Sequence, residues 1–460
     1  MDKRVFCCWA AISAAGAASI AIASQAFAQA SAQRPADVGR MEQIARSYSD
    51  SKQFMGSVLV ARAGRVLLDK GYGYANLEWS IPNDPDTIFR LGSVTKQFTA
   101  ASILLLEERG KLKTSDPVSA YLPDAPAAWA KITIFNLLTH TSGIPNYTEF
   151  PDLPTFQVLP TTPTQLVQRF QPKPLDFQPG EKWAYSNSNY ALLGLIIEKV
   201  SGQTYQAFLQ QNIFAPLKMS HSGYDSNTAI IPHRASGYTP GPDGPQNAGY
   251  TDMTVPYAAG ALYSTTRDLR LWEDALFGGK LLSASSLKKM TTPFLNSYAF
   301  GLAVGQAGGH PVISHGGGIN GFNTYLAYYP DEKMTVVVLG NLNGGAPEKI
   351  AGQLAAVAHG EPVVLPTERH EIAVDPHTLA SYVGSYELAP GFVLVVTLEN
   401  GQLMTQATGQ PKFPIFAESS TRFFPKVVDA EIEFTKDKSG TVTGLILHQG
   451  GRDIPGPRKP

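Results

Sequence analysis

Cysteine is nearly missing from this chain: Cys7 and Cys8 are the only two in 460 residues. Both lie in the amino-terminal segment, so removal of that segment would leave no thiol. That excludes a disulfide framework, a thiolate nucleophile and a cysteine-ligated metal. Charge is sparse as well. Charged residues make up 16% of the chain, and 37 Lys and Arg against 38 Asp and Glu give a formal net charge of −1. Such a balance implies no surface for nucleic acid. Beyond the amino-terminal segment no run is apolar enough to span a bilayer.

What is present begins with that segment. Residues 1–28 have Lys3 and Arg4, then an Ala-rich apolar run, then Ala26-Phe27-Ala28. This is the pattern of a secretory signal, with an uncleaved anchor as the alternative. Export would make the protein periplasmic or secreted, without a membrane span after cleavage. Its formal charge would then move from −1 to −2. With 43% hydrophobic residues the chain can build a large core that needs no disulfide.

Element by element, Met41 to Tyr48 fits a short helix, and Gly56 to Ala63 with Arg65 to Lys70 a β-hairpin. A long apolar helix is expected from Ser93 to its stop at Gly110, and a second from Ile132 to Leu138. Tyr190 to Val200 reads as a helix ended by Gly202, and Ser220 to Pro256 as loop-rich. Strand-like runs follow at Phe300–Val304, Phe322–Tyr329 and Thr335–Leu339, then a helix from Glu348 to Ala358. Residues 29–360 thus form one domain, and 361–376, rich in proline and mixed charge, a linker. In residues 377–460, Val393–Leu398, Gln402–Thr408, Glu431–Phe434 and Val442–His448 are strand-like, and Asn400-Gly401 and Ser439-Gly440 are hairpin turns.

The chemistry concentrates at Ser93-Val94-Thr95-Lys96. One helical turn puts the Ser93 hydroxyl and the Lys96 amine on one face. A serine needs an adjacent base, and an amine kept neutral by desolvation can serve. S-x-x-K alone is weak, since it also starts at Ser49, Ser285 and Ser286. Ser49 has no apolar helix behind it, and Ser285 and Ser286 read as helix N-caps. An N-cap is the ordinary reading of Ser93 too; order and context decide otherwise. Tyr185-Ser186-Asn187 follows downstream, then His315-Gly316-Gly317 after the strand-like Val312-Ile313-Ser314.

In that order the three segments resemble the signature of the serine β-lactamase and penicillin-binding protein family: S-x-x-K, then Y-x-N or S-x-N, then K-T-G or a variant. Leu137 to Gly143 is similar to a stretch of its class C-like and esterase branches, and the resemblance covers Met41 to Ala358. Tyr74-Ala75-Asn76, Lys438-Ser439-Gly440 and His448-Gln449-Gly450 also fit single motifs, but fall before Ser93 or in the tail. The resemblance implies an α+β fold: an antiparallel sheet flanked by helices plus a mostly helical lobe. The tail looks like the lipocalin-like small antiparallel β-barrel that some relatives carry.

By the same resemblance Ser93 is the nucleophile, Lys96 takes its proton, and Tyr185 shares the network and relays to the leaving group. A neighbouring ammonium would be what lets that phenol act as a base. Asn187 would bond Lys96 and the substrate amide. The N–H groups of Ser93 and Gly318 would form the oxyanion hole, with Gly316 and Gly317 allowing close approach. His315 stands where the family has lysine, and Gly316 where it has a hydroxyl. Both changes weaken recognition of a substrate carboxylate, and no E-x-x-L-N stretch offers a class A deacylation glutamate.

The implied enzyme is an exported serine hydrolase acting on small esters, amides or short peptides, an esterase or D-aminopeptidase-like peptidase. A β-lactamase or D-alanyl-D-alanine carboxypeptidase is one alternative. A sensor that is acylated and turns over slowly is another, and ligand binding by the tail a third. No cofactor is implied, and oligomeric state stays open. His140 reads as a structural hydrogen-bonder, and Tyr147, Tyr257, Tyr298 and Phe322 as cleft or core residues. His310 and His315 have no third ligand at metal spacing, so no metal is expected.

Overall fold

The computed structural model describes residues 37–365, 368–426, 430–449 and 452–459. The expected leader lies outside them. Two compact units are present, the first running to Pro362 and the second from Val363.

The first unit is built on a six-stranded antiparallel sheet. Two strands come early, β1 (Gly56–Arg62) and β2 (Arg65–Tyr72); four come late, β3 (Ala303–Ala307), β4 (His310–Ile319), β5 (Phe322–Tyr329) and β6 (Met334–Gly340). Their spatial order is β3-β4-β5-β6-β1-β2, so β1 pairs with β6 from the other end of the unit. Every residue of β6, and Gly56 to Ala61 of β1, is buried, because both sheet faces are covered. Leu59, Val337 and Leu339 share one core with Leu269 and Trp272 of a covering helix, Thr266–Leu276. Val58, Val60, Val336 and Val338 alternate to the other face. Helices α1 (Val38–Asp50) and α4 (Ala346–His359) pack on each other and on the sheet.

Between β2 and β3 the chain forms a mostly helical lobe around α2 (Thr95–Glu108) and α3 (Asn187–Ser201). Thr95 to Leu106 of α2 are all buried. That helix is enclosed all round, so it lacks the one-sided apolar stripe of a surface helix. Arg109 and Gly110 close it, Gly110 with φ +66°, and Gly202 ends α3 at φ +73°.

Several boundaries differ from expectation for local reasons. Strand β3 starts at Ala303, not Phe300, because Phe300 and Leu302 are buried in the core. Between them Gly301, at φ +69°, sits so close to α2 that a Cβ would lie 2.7 Å from the Lys96 carbonyl oxygen. The second helix starts at Ile134, since Thr133 caps it in a reciprocal box with Asn136. Helix α3 starts three residues early, which makes Asn187 its first residue. Ser283 caps the helix Ala284–Thr291, so neither Ser285 nor Ser286 is the cap. Ser220 to Pro256 is not all loop: Gly223–Tyr224 is a short strand, and Tyr238–Gly241 pairs with Gly244–Asn247. Gly360, just ahead of the expected linker, is the left-handed cap of α4, and a helix begins at Pro376, the linker's last residue.

The second unit is an eight-stranded antiparallel barrel in sequence order, Gly384–Ala389 through Arg452–Pro457. It nearly closes through a bridge between Tyr386 and Arg458. The Asn400-Gly401 turn has φ of +49° and +80°, as a tight hairpin requires. Four further strands join the expected four, at Gly384–Ala389, Phe413–Ala417, Arg422–Pro425 and Arg452–Pro457. Three contain proline and two are five residues or fewer, which blurs the alternating pattern. Tyr382, Tyr386, Phe423 and Phe434 fill the interior, with Tyr382 and Phe434 stacked at 4.1 Å.

Candidate active site

Ser93 lies in a single 3₁₀ turn, Gly92–Val94, leading into α2. Its hydroxyl caps nothing. It faces two partners instead: Lys96 Nζ at 2.9 Å, one turn on, and Tyr185 Oη at 2.7 Å. Tyr185 lies just ahead of α3, whose first residue, Asn187, accepts from Lys96 Nζ through Oδ1 at 2.8 Å. The Ala259 carbonyl accepts from the same amine at 2.9 Å.

The Lys96 side chain is fully buried among these groups, and desolvation pushes its pKa well below the ordinary lysine value. A neutral amine has two hydrogens and one lone pair. The Asn187 and Ala259 oxygens have no protons to give on those atoms and take the two hydrogens. The lone pair is then left facing Ser93, whose hydroxyl can donate to it. Burial acts on Tyr185 in the opposite sense and pushes its phenol up, against a smaller downward pull from the Ser93 hydrogen bond. In the resting site, then, the buried amine is the base placed to take the Ser93 proton, and Tyr185 begins protonated.

Neighbours hold the triad in place. Asn187 donates from Nδ2 to Thr148 Oγ1 at 3.0 Å, and its backbone N–H meets Asn146 Oδ1 at 3.0 Å. His140 is buried, accepts the Ser186 N–H at Nδ1 over 3.2 Å, and lies 4.4 Å from the Tyr185 ring between centroids. Desolvation keeps it neutral by lowering its pKa well below the usual range. Its contacts are those of a strut for the Tyr185 segment.

The glycines of β4 meet the Ser93 turn backbone to backbone. A Cβ on Gly317 would fall 2.0 Å from the Leu91 carbonyl oxygen, and one on Gly92 (φ +52°) 2.8 Å from Gly318 N. This contact brings Gly318 beside Ser93 at the cleft wall. Gly316 is different: a Cβ there would meet only Tyr325 and Thr324, at 3.7 and 3.8 Å. Packing therefore does not forbid the missing hydroxyl. Gly317→Ala is expected to lower kcat/KM roughly 100-fold by displacing the Ser93 turn, the cost of about 1 Å of misplacement. Gly316→Ala should change it less than about threefold, steady-state kinetics on one ester being the check.

His315 is buried behind the cleft wall. It donates from Nδ1 to the Gly316 carbonyl oxygen at 2.6 Å, which leaves Nε2 to accept from Tyr298 Oη at 2.9 Å. Burial pushes its pKa down to about 4, so it is a neutral ring near pH 7. It does not line the cleft as a lysine substitute would. Tyr298 is its buried partner, and Tyr257 and Phe322 are core residues.

The cleft at Ser93 has a volume of about 240 Å³. Tyr147, Leu153, Val255, Pro256 and Ile319 give it apolar walls; Thr148, Gln157, Thr251 and Asn320 add polar groups, and none of the described lining residues is charged. Thr251 Oγ1 is buried there without a partner among the described residues. Apart from Tyr147, which the sequence marked, these liners lie in segments with no periodic or motif signal. The Ala259 carbonyl has no sequence signature at all. A larger groove of about 570 Å³ touches Ser285 and Ser286, but their hydroxyls bond that of Ser283, at 3.0 and 3.2 Å, and not the lysines or Tyr121 that also line it.

Comparison with known proteins agrees on the ancestry of both units. The Beta-lactamase family matches residues 41–360, and a domain of unknown function, DUF3471, matches residues 368–456. Penicillin-binding protein 4* of Bacillus subtilis is 30% identical, over 90% of this chain and 97% of its own length. The octameric penicillin-binding protein homologue from Pyrococcus abyssi superposes with a TM-score of 0.66 at 28% identity, over 89% of this chain and 98% of that one. A D-stereospecific amidohydrolase from Streptomyces sp. gives 0.62 at 27%, over 71% and 100%.

Proposed function

The chain belongs to the beta-lactamase family and is a serine hydrolase, and from that premise we propose an exported enzyme that cleaves small, uncharged esters or amides through an acyl-Ser93 intermediate. The observation that carries the reading is the Ser93 hydroxyl held between a buried amine at 2.9 Å and a phenol at 2.7 Å.

In this mechanism Ser93 Oγ attacks the carbonyl carbon as its proton passes to Lys96 Nζ. The oxyanion forms against the N–H groups of Ser93 and Gly318. Tyr185 gives its proton to the leaving oxygen or nitrogen as the scissile bond breaks, leaving a phenolate beside the Lys96 ammonium. Water then attacks the acyl carbon and passes a proton to Tyr185. Lys96 returns its own proton to Ser93 Oγ as the acyl group departs as an acid. Atoms and charge balance over the cycle. Asn187 keeps Lys96 aimed throughout.

The uncharged cleft and the neutral, buried His315 support substrates without a carboxylate beside the scissile bond. A carboxylate there would lose its hydration with no cation to receive it. Across a matched pair, an N-acyl-asparagine p-nitroanilide is expected to exceed the N-acyl-aspartate p-nitroanilide at least ~10-fold in kcat/KM. Equal rates would reject the reading. A second reading, acylation by penicillin, is favoured by the names of the Bacillus and Pyrococcus relatives. Intact-mass spectrometry separates the two: a persistent penicillin adduct with no ester turnover supports a sensor, and catalytic ester turnover the hydrolase. Export is tested by fractionating cells that express the full chain.

A further inference from the structure

At the far end of β4 from the Ser93 cleft, His310 meets Glu332 and His359, brought together from the start of β4, the β5–β6 turn and the last residue of α4. We propose that these three side chains form a binding site for a divalent transition-metal ion of the zinc class, separate from the hydrolase chemistry. Eight residues of strand, about 26 Å at 3.3 Å per residue, separate His310 from Gly318.

His310 Nδ1 and His359 Nδ1 point at the same carboxylate oxygen, Glu332 Oε1, from 3.5 and 3.4 Å. Those separations are long for hydrogen bonds. They match the edge of a coordination tetrahedron, about 3.4 Å for bonds of about 2.1 Å. The outer contact fits as well: Glu361 Oε1 lies 3.1 Å from His310 Nε2. A carboxylate there holds the proton on Nε2 and leaves the Nδ1 lone pair free, the arrangement that orients a metal-binding histidine. Glu332 Oε2 and His359 Nε2 are buried with no partner among the described residues. Glu332 Oε2 can complete a bidentate carboxylate or hold a bound water.

The two imidazoles stack at 3.6 Å between centroids and 4° between planes. Stacked rings direct their lone pairs in parallel, so a shared ion needs them splayed. The half-exposed His310 is the ring with room to turn, because His359 is enclosed. Two imidazoles and a carboxylate select zinc, nickel or cobalt over magnesium or calcium. His315, the nearer histidine in sequence, takes no part. Its ring is engaged with Tyr298, which is why sequence spacing hid the site.

The test is a calorimetric titration of tag-free, chelator-treated full-length protein with zinc chloride, then with magnesium chloride. One zinc ion per chain is expected, with Kd at or below ~1 µM, and no magnesium binding. Glu332→Gln and His359→Ala should each weaken zinc at least ~10-fold, Glu361→Gln should weaken it less, and His221→Ala should leave it unchanged. Cobalt should give the visible absorption of a tetrahedral N,O site in wild type and lose it in Glu332→Gln. Circular dichroism identifies any variant that fails to fold; the near-isosteric Glu332→Gln decides if His359→Ala does. Absence of zinc binding in wild type, or equal binding by wild type and Glu332→Gln, overturns the proposal. Ester turnover at Ser93 is expected to be the same with and without zinc, so failure here leaves the hydrolase reading untouched, and the reverse.

Discussion

Ser93→Ala is expected to abolish hydrolysis of a p-nitrophenyl ester, by at least roughly 10⁴-fold in kcat, the scale seen when a covalent nucleophile is deleted. It also eliminates the acyl adduct from the intact-mass spectrum. The fold should survive, because the change removes one hydroxyl and leaves Tyr185 and Lys96 each short of one partner, a cost of about 1 kcal/mol per bond. Thermal unfolding therefore shifts by only a few degrees while activity disappears. Retained turnover, or an adduct on Ser285 or Ser286 beside the charged groove, would show that the wrong hydroxyl had been chosen.

Lys96→Ala is the second large effect, a loss of roughly 10²–10⁴-fold in kcat/KM for a general base. The pH dependence distinguishes a base from a prop. Lys96 must be unprotonated to accept from Ser93, so wild-type kcat/KM rises with pH through the lowered Lys96 pKa and then levels. That acid limb should vanish in Lys96→Ala. Tyr185 must stay protonated, and since its phenol is pushed upward no alkaline decline is expected below about pH 10. Stability follows the same sign. Because folding lowers the lysine pKa, the unfolded chain binds more protons between the folded and the unfolded values. The destabilising contribution is complete below the folded pKa and fades as pH climbs toward the ordinary lysine value. A fall in the stability of wild type relative to Lys96→Met over that interval would contradict a neutral Lys96; the comparison cancels the buried tyrosines, whose raised pKa values act with the opposite sign.

Some of this could be seen in the chain and some could not, and the difference is physical. Ser93, Lys96 and Asn187 stand at helix starts, where local spacing decides which side chains share a face. Tyr185 was legible only through its place between the other two segments. Strands β1 and β6 are legible because nearly continuous burial needs continuous apolar sequence, and β5 because its buried residues alternate before an apolar end. The neutral state of His315 is not legible in the sequence, because it depends on burial against Tyr298, a contact across 17 residues that no spacing encodes. Strand β3 was displaced by Phe300 and Leu302, whose apolarity serves the core around α2 and not a sheet face. The Lys96–Ala259 contact is made by a backbone carbonyl, so any residue type could supply it.

The barrel interior carries one more consequence. Tyr382 donates its hydroxyl to the Ser420 carbonyl at 2.6 Å, and Tyr386 to the Tyr382 carbonyl at 2.8 Å, so the central rings are tethered as well as stacked. A carrier protein needs an unclaimed hollow for its cargo; here the would-be tenant is the chain's own aromatic plug. Beside that plug a pocket of about 250 Å³ remains, lined by Ile372, Leu379, Leu403, Ile415 and Phe423, so a ligand held inside this module would have to be small.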